Sequence, residues 1–229
     1  MSLALCQAFF MDLIEIGARA GVIYIPFLFA LCFHEYSHGL VAKWKGDRTA
    51  EFSGRLTMNP MAHIDWLGTV ILPIMSIVLS APIFFGWAKP VPVDYRAFKN
   101  PRADIFWVAL AGPLSNVLLA VIGSFLLVLN LKYLQSSTYY EALRNLLNVF
   151  ILTNLSLAFF NLIPLHPLDG GKVISRFLPR SWAYAFEQNQ HISNYVLLFL
   201  FLSGVLKYLA YPIHFMQEMF IRLAAGGLL

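Results

Sequence analysis

GVIYIPFLFALCFHEYSHGLVAKW, residues 21–44, decides how the rest of the chain is read. A membrane span needs about 20 apolar residues, and this one runs straight into His34-Glu35-Tyr36-Ser37-His38. On an α-helix, positions i and i+4 share a face, about 6 Å apart along the axis. His34 and His38 can therefore hold one metal ion between them, with Glu35 beside them to handle a proton. This is the HExxH spacing of zinc hydrolases. A lone His on an apolar face is more often a packed core residue. Three ionisable groups within five residues of a span are costly to bury, and that makes a functional cluster the stronger reading.

Composition sets the surroundings. Of 229 residues, 59% are hydrophobic and 12% charged, against about 25% charged in an average soluble domain. The fold class expected is an all-α polytopic membrane protein, one integral domain over residues 1–229 in the lipid bilayer. The net charge of +4 comes from basic residues in the loops between apolar segments. They form no stripe, which argues against nucleic acid as a partner. Cys6 and Cys32 are too few for a disulfide framework and are read as reduced. Residues 1–16 carry Asp12 and Glu15 and no basic n-region, so no cleavable signal peptide is expected, and residues 3–16 are read as a partial or interfacial helix.

Full spans are expected over about 20–43, 103–130, 143–163 and 194–215. The loops after the first span, before the second and after the third are rich in Lys and Arg, which places all three on the cytoplasmic side. Residues 67–86, LGTVILPIMSIVLSAPIFFG, then lie between two cytoplasmic loops. With Pro73 and Pro82 inside it, this segment either re-enters and leaves by the face it entered, the reading slightly favoured, or is an ordinary kinked span that breaks the charge rule.

A zinc hydrolase needs three protein ligands and an open position. The span over 143–163 ends in NLIPLHPLDGG, residues 161–171. Its prolines stop the helix and its glycines permit a sharp turn. Asp169 is thereby delivered to the depth at which the first span delivers His34 and His38. Asp-Gly is commonly a plain turn, and only the upstream histidines tip the balance toward a ligand.

Three elements together carry a resemblance to a known family. They are HEYSH within a span, AGPLSN at 111–116 opening another, and NLIPLHPLDGG, which fits N-x-x-P-x-x-P-x-D-G at every fixed position. The sequence resembles the site-2 proteases, intramembrane zinc metalloproteases. MNPMAHIDWLGT (58–69) and GWAKPVPV (86–93) look like a compact bacterial branch without added regulatory domains, in which Trp66 would more often be proline. The resemblance implies a three-helix catalytic core over about 20–43, 103–130 and 143–171, with further helices and short re-entrant or strand-like segments. It implies one Zn²⁺ per chain on His34, His38 and Asp169, and Glu35 as catalytic base. It also implies Asn161 near the scissile carbonyl, where its amide would steady an oxyanion. The activity implied is regulated intramembrane proteolysis of single-span membrane proteins near the cytoplasmic face of a bacterial inner membrane.

Other residues weigh less. Residues 51–58 and 89–93 are candidate strand edges for pairing with an unwound substrate. His63 and Asp65 are either gating residues or interfacial polar groups, and His166 lies between two motif prolines. Gly112, Pro113 and Asn116 are read as close-packing positions. The rival readings are a membrane-bound protease acting on loops or soluble peptides, and a divalent metal transporter using the same His/Asp cluster.

Overall fold

The computed structural model describes residues 3–79 and 86–226, with the backbone alone over 3–13 and at 15 and 16. The first helix, α1 (Leu3–Trp44), is continuous over 42 residues. The partial helix expected at 3–16 and the span expected at 20–43 are therefore one element. Only isolated Gly17 and Gly21 separate them, and a lone glycine costs a helix only about 1 kcal/mol.

After α1 the chain makes the single turn α2 (Thr49–Phe52) and the short α3 (Leu72–Val78). Then come α4 (Pro101–Tyr133) and α5 (Tyr140–Asn161). Stretches Gly17–Trp44, Pro101–Tyr133 and Tyr140–Asn161 are long and apolar enough to cross a membrane. The three pack on one another as a bundle, and the chain is a multi-pass membrane protein. In lipid, close approach of small residues drives such packing. On α4 the buried Ala120, Gly123, Ser124 and Leu127 fall on one helical face, and Leu147, Ile151 and Leu155 of α5 pack into the same core.

The strand expected over residues 51–58 is not formed, and no strand occurs among the described residues. Asp47 is the reason. Its buried carboxylate accepts from the Thr49 backbone N–H and hydroxyl, which starts α2, and from the Asp94 N–H. The alternating pattern that follows is consumed by a turn in which Arg55 and Leu56 donate back to the Ala50 carbonyl.

The segment expected to re-enter begins as a wide helical turn, Trp66–Ile71, capped by the Asp65 carboxylate on the Gly68 N–H, and continues into α3. Trp87 then donates its N–H to the Gly68 carbonyl at 3.1 Å, and the Thr69 hydroxyl donates to the Trp87 carbonyl at 2.8 Å. The chain has thus come back to the place it left, as re-entry requires. Residues 80–85 lie outside the described residues.

Helices α6 (Asp169–Ser175), α7 (Arg180–Gln188), α8 (Gln190–Leu202) and α9 (Ala210–Gly226) complete the fold. The single span expected over 194–215 is in fact broken. Gly204 takes φ +71 and ends α8, a conformation that only glycine adopts freely. The chain bends by 79° across the break. α9 then packs on α4 and α5, with Ile213 buried in the core they share.

Candidate metal centre

The HExxH turn lies in the C-terminal part of α1, and its two imidazoles face α4. Both Nε2 atoms point at one carboxylate oxygen, Asp169 Oδ2, at 3.1 Å from His34 and 3.2 Å from His38. Their rings sit edge to face, centroids 4.6 Å apart. All three residues are buried, and their ligand atoms lie within 4.8 Å of one another. Tetrahedral zinc with ligand bonds near 2.05 Å would set neighbouring donors about 3.3 Å apart, close to the spacing seen.

The other face of each ring is committed as well. His34 Nδ1 donates to Asn116 Oδ1 at 2.6 Å, and His38 Nδ1 donates to the Val108 carbonyl at 2.7 Å. With the proton held on Nδ1, each Nε2 presents a lone pair, the arrangement a metal-ligating imidazole needs. Asn116 is fully buried on α4. It was read from the sequence as a packing residue and is instead a partner of a ligand. A carboxamide in the middle of an apolar span was the signal that could have found it.

Gly112 shows how tightly this cradle is drawn. A Cβ added there would come within 2.5 Å of both Nε2 atoms, inside the space between the donors. The residues present therefore fit a metal ion, and the space it needs exists because position 112 has no side chain.

Asp169 is the first residue of α6, delivered by the proline-broken loop after α5. Gly170 and Gly171 do not make the sharp turn expected of them, since neither has positive φ. They let α6 press against the backbone of residues 162–166, where a Cβ on Gly170 would run into the Leu162 and Ile163 carbonyls.

Glu35 is half-buried, and its Oε2 accepts from the Val91 N–H at 2.8 Å. The segment carrying Val91 is held from several sides. Lys89 donates its N–H to the His63 carbonyl, and Arg55 Nη2 reaches the Lys89 and Pro90 carbonyls at 2.8 and 3.2 Å. Pro90 and Pro92 have no N–H. The edge expected to pair with substrate thus already spends its groups from Lys89 N–H to Val91 N–H within the protein.

Asn161, the last residue of α5, donates from Nδ2 to the Leu157 carbonyl of its own helix at 2.9 Å. The structure leaves three other candidates outside the cluster. His63 is buried with Nε2 on the Thr57 carbonyl, and Asp65 caps the turn that follows it. His166 packs on the Phe186 ring at 4.8 Å, and burial pushes its imidazole below its ordinary pKa.

Two imidazoles and a carboxylate, buried and converging where α1, α4 and α6 meet, are the donor set of a metal-dependent hydrolase. Comparison with known proteins agrees on the broader class: the chain belongs to peptidase family M50, whose model matches residues 22–142 and again 129–204. It is 37% identical over 190 residues to YwhC of Bacillus subtilis (strain 168), named as a candidate zinc metalloprotease, covering 82% of this chain and 83% of that one. Rip2 of Mycobacterium tuberculosis, named in the same way, is 27% identical over 192 residues, 82% of this chain and 71% of its own. Rip2 of Mycolicibacterium smegmatis is 33% identical over 95 residues, 42% of this chain and 35% of its own. No solved structure matches the chain.

Proposed function

We propose that the protein is an intramembrane zinc endopeptidase. It would hydrolyse peptide bonds within the membrane-spanning segments of single-span proteins, near the cytoplasmic face of a bacterial inner membrane. The observation that carries this reading is the convergence of His34, His38 and Asp169 on one point inside a bundle of three spans. Membership of a peptidase family and relatives named as zinc metalloproteases support it.

His34 and His38 would hold the ion through Nε2 and Asp169 through its carboxylate. Zinc, when bound there, supplies Lewis acidity and lowers the pKa of a water from about 15.7 toward 7. Glu35 follows His34 directly on the same helix. One of its oxygens is steadied by the Val91 N–H, and the other is available to take a proton from the attacking water and return it to the leaving amine. Asn161 has a second amide hydrogen beyond the one on Leu157. Aimed at a developing oxyanion, such a donor is worth about 3 kcal/mol. Burial of the site strengthens each of these interactions.

Glu35→Gln tests the assignment. Purified in detergent with a single-span substrate, this variant should lose cleavage by at least about 100-fold and keep its zinc. Normal cleavage by Glu35→Gln would overturn the hydrolase reading, whereas loss of zinc along with cleavage would move Glu35 into the metal shell.

A further inference from the structure

The bond from His34 to Asn116 does not end the chain of contacts. Asn116 Nδ2 donates to Asn154 Oδ1 on α5 at 2.9 Å, and more distantly to the Ala30 carbonyl on α1 at 3.2 Å. Asn154 Nδ2 in turn donates to the Phe150 carbonyl one turn back at 2.8 Å. Both asparagines are fully buried. A backbone carbonyl can only accept, so the Phe150 carbonyl fixes which end of the Asn154 amide is NH₂. That leaves Asn154 Oδ1 to accept from Asn116, and Asn116 Oδ1 to accept from His34 Nδ1. Direction is therefore imposed link by link, from the backbone of α5 through α4 to a ring on α1, and the ring's other nitrogen faces Asp169.

We infer that Asn154, on a helix that contributes no ligand of its own within the span, is a positioning residue for the metal centre. Together with the more distant Ala30 carbonyl, it holds the Asn116 amide in the orientation that keeps His34 protonated on Nδ1 and its Nε2 lone pair on the ion. Without it, one Asn116 donor is left unpaired in a dry interior, and an amide rotated to relieve this would turn NH₂ toward His34. Outer partners of this kind typically change metal affinity by about 10- to 100-fold. The inference rests on the reading of His34, His38 and Asp169 as zinc ligands.

The test is competition for Zn²⁺ between the full-length protein in detergent and a chromogenic chelator, with helical content followed by circular dichroism. Asn154→Ala should bind Zn²⁺ about tenfold more weakly or worse with its helices intact. Asn154→Asp should restore binding, because a buried neutral carboxyl offers one donor and one acceptor in the same places. In an Asn116→Ala background, Asn154→Ala should have almost no further effect, since the relay is already cut. Should Asn154→Ala not fold, Asn154→Leu fills the space without an acceptor and carries the same expectation. Wild-type affinity in the folded variant, or a loss that is additive with Asn116→Ala, would make Asn154 a mere inter-helix bond and overturn the relay. Failure of the wild-type protein to hold zinc would instead remove the underlying ligand assignment.

Discussion

His34 and Glu35 are neighbours in sequence, yet the fold secures them by opposite means. The histidine is held from within the bundle: Nδ1 to a buried carboxamide, Nε2 toward a buried carboxylate. The glutamate is held from outside it, by one backbone N–H of an extended segment that itself depends on an arginine side chain and a neighbouring carbonyl. The half proposed to hold metal is thus part of the three-span core, and the half proposed to handle protons is tied to a strap laid along α1. The two halves should be separable by substitution, and the most informative variants are those that damage one and spare the other.

The largest effect is expected at Gly112. Gly112→Ala puts a methyl group 2.5 Å from both Nε2 atoms, where neither ring can retreat without breaking its Nδ1 bond. Alanine is the better helix former by about 1 kcal/mol, so α4 should stay helical while the cradle closes. Metal analysis should show zinc content falling to near background, with cleavage lost alongside it. A folded Gly112→Ala protein with full zinc occupancy would mean that the ion sits elsewhere.

The strap gives the complementary result. Val91 already lies between Pro90 and Pro92, so the residue before Pro92 is held extended and Val91→Pro asks little of the backbone. It removes the single N–H that Glu35 accepts. Cleavage should drop by roughly 10- to 100-fold, below the full 10²–10⁴ that a general base supplies, because the carboxylate remains but is no longer aimed. Zinc should be unchanged. If Val91→Pro also loses zinc, the halves are mechanically one, and the comparison fails.

Sequence reached these halves unequally, for physical reasons. The pairs that define the metal site are local patterns: i and i+4 on one helix, and a proline-terminated helix feeding Asp169. For residues 67–86, two prolines and basic flanks tipped the reading only slightly toward a return, and the meeting of Gly68 with Trp87 agrees with it. What supports the ligands was not. The face that α4 turns toward α1 cannot be read from a span apolar on all sides, so Asn116 and Val108 were hidden by a separation of 82 and 70 residues from the histidines they hold. The strap was offered as a candidate pairing edge because its prolines say extended, and they say nothing about which groups are already used. The break at Gly204 was masked by uninterrupted apolarity on both sides, although the glycine itself was the cue.

The smallest effect is expected where the strap's support begins. Glu51 on α2 bonds Arg48 and Lys43, the latter on α1, and so helps fix the loop that presents Arg55 to the strap. The Arg48 bond first, and the Lys43 bond with it, hold its carboxyl down at about 2 from an ordinary 4.5. A depressed pKa stabilises the fold above the unfolded value, and that contribution fades as pH falls from about 4.5 toward 2. The group is exposed, and solvent and salt screen it. Glu51→Gln should therefore lower Tm only slightly at pH 7 and low ionic strength, and the gap from wild type should close on acidification or on adding salt. Cleavage should fall less than for Val91→Pro, and zinc should not move. A large loss of zinc in Glu51→Gln would show that the loop after α1 supports the histidines as well as the strap, and the two halves would have to be redrawn.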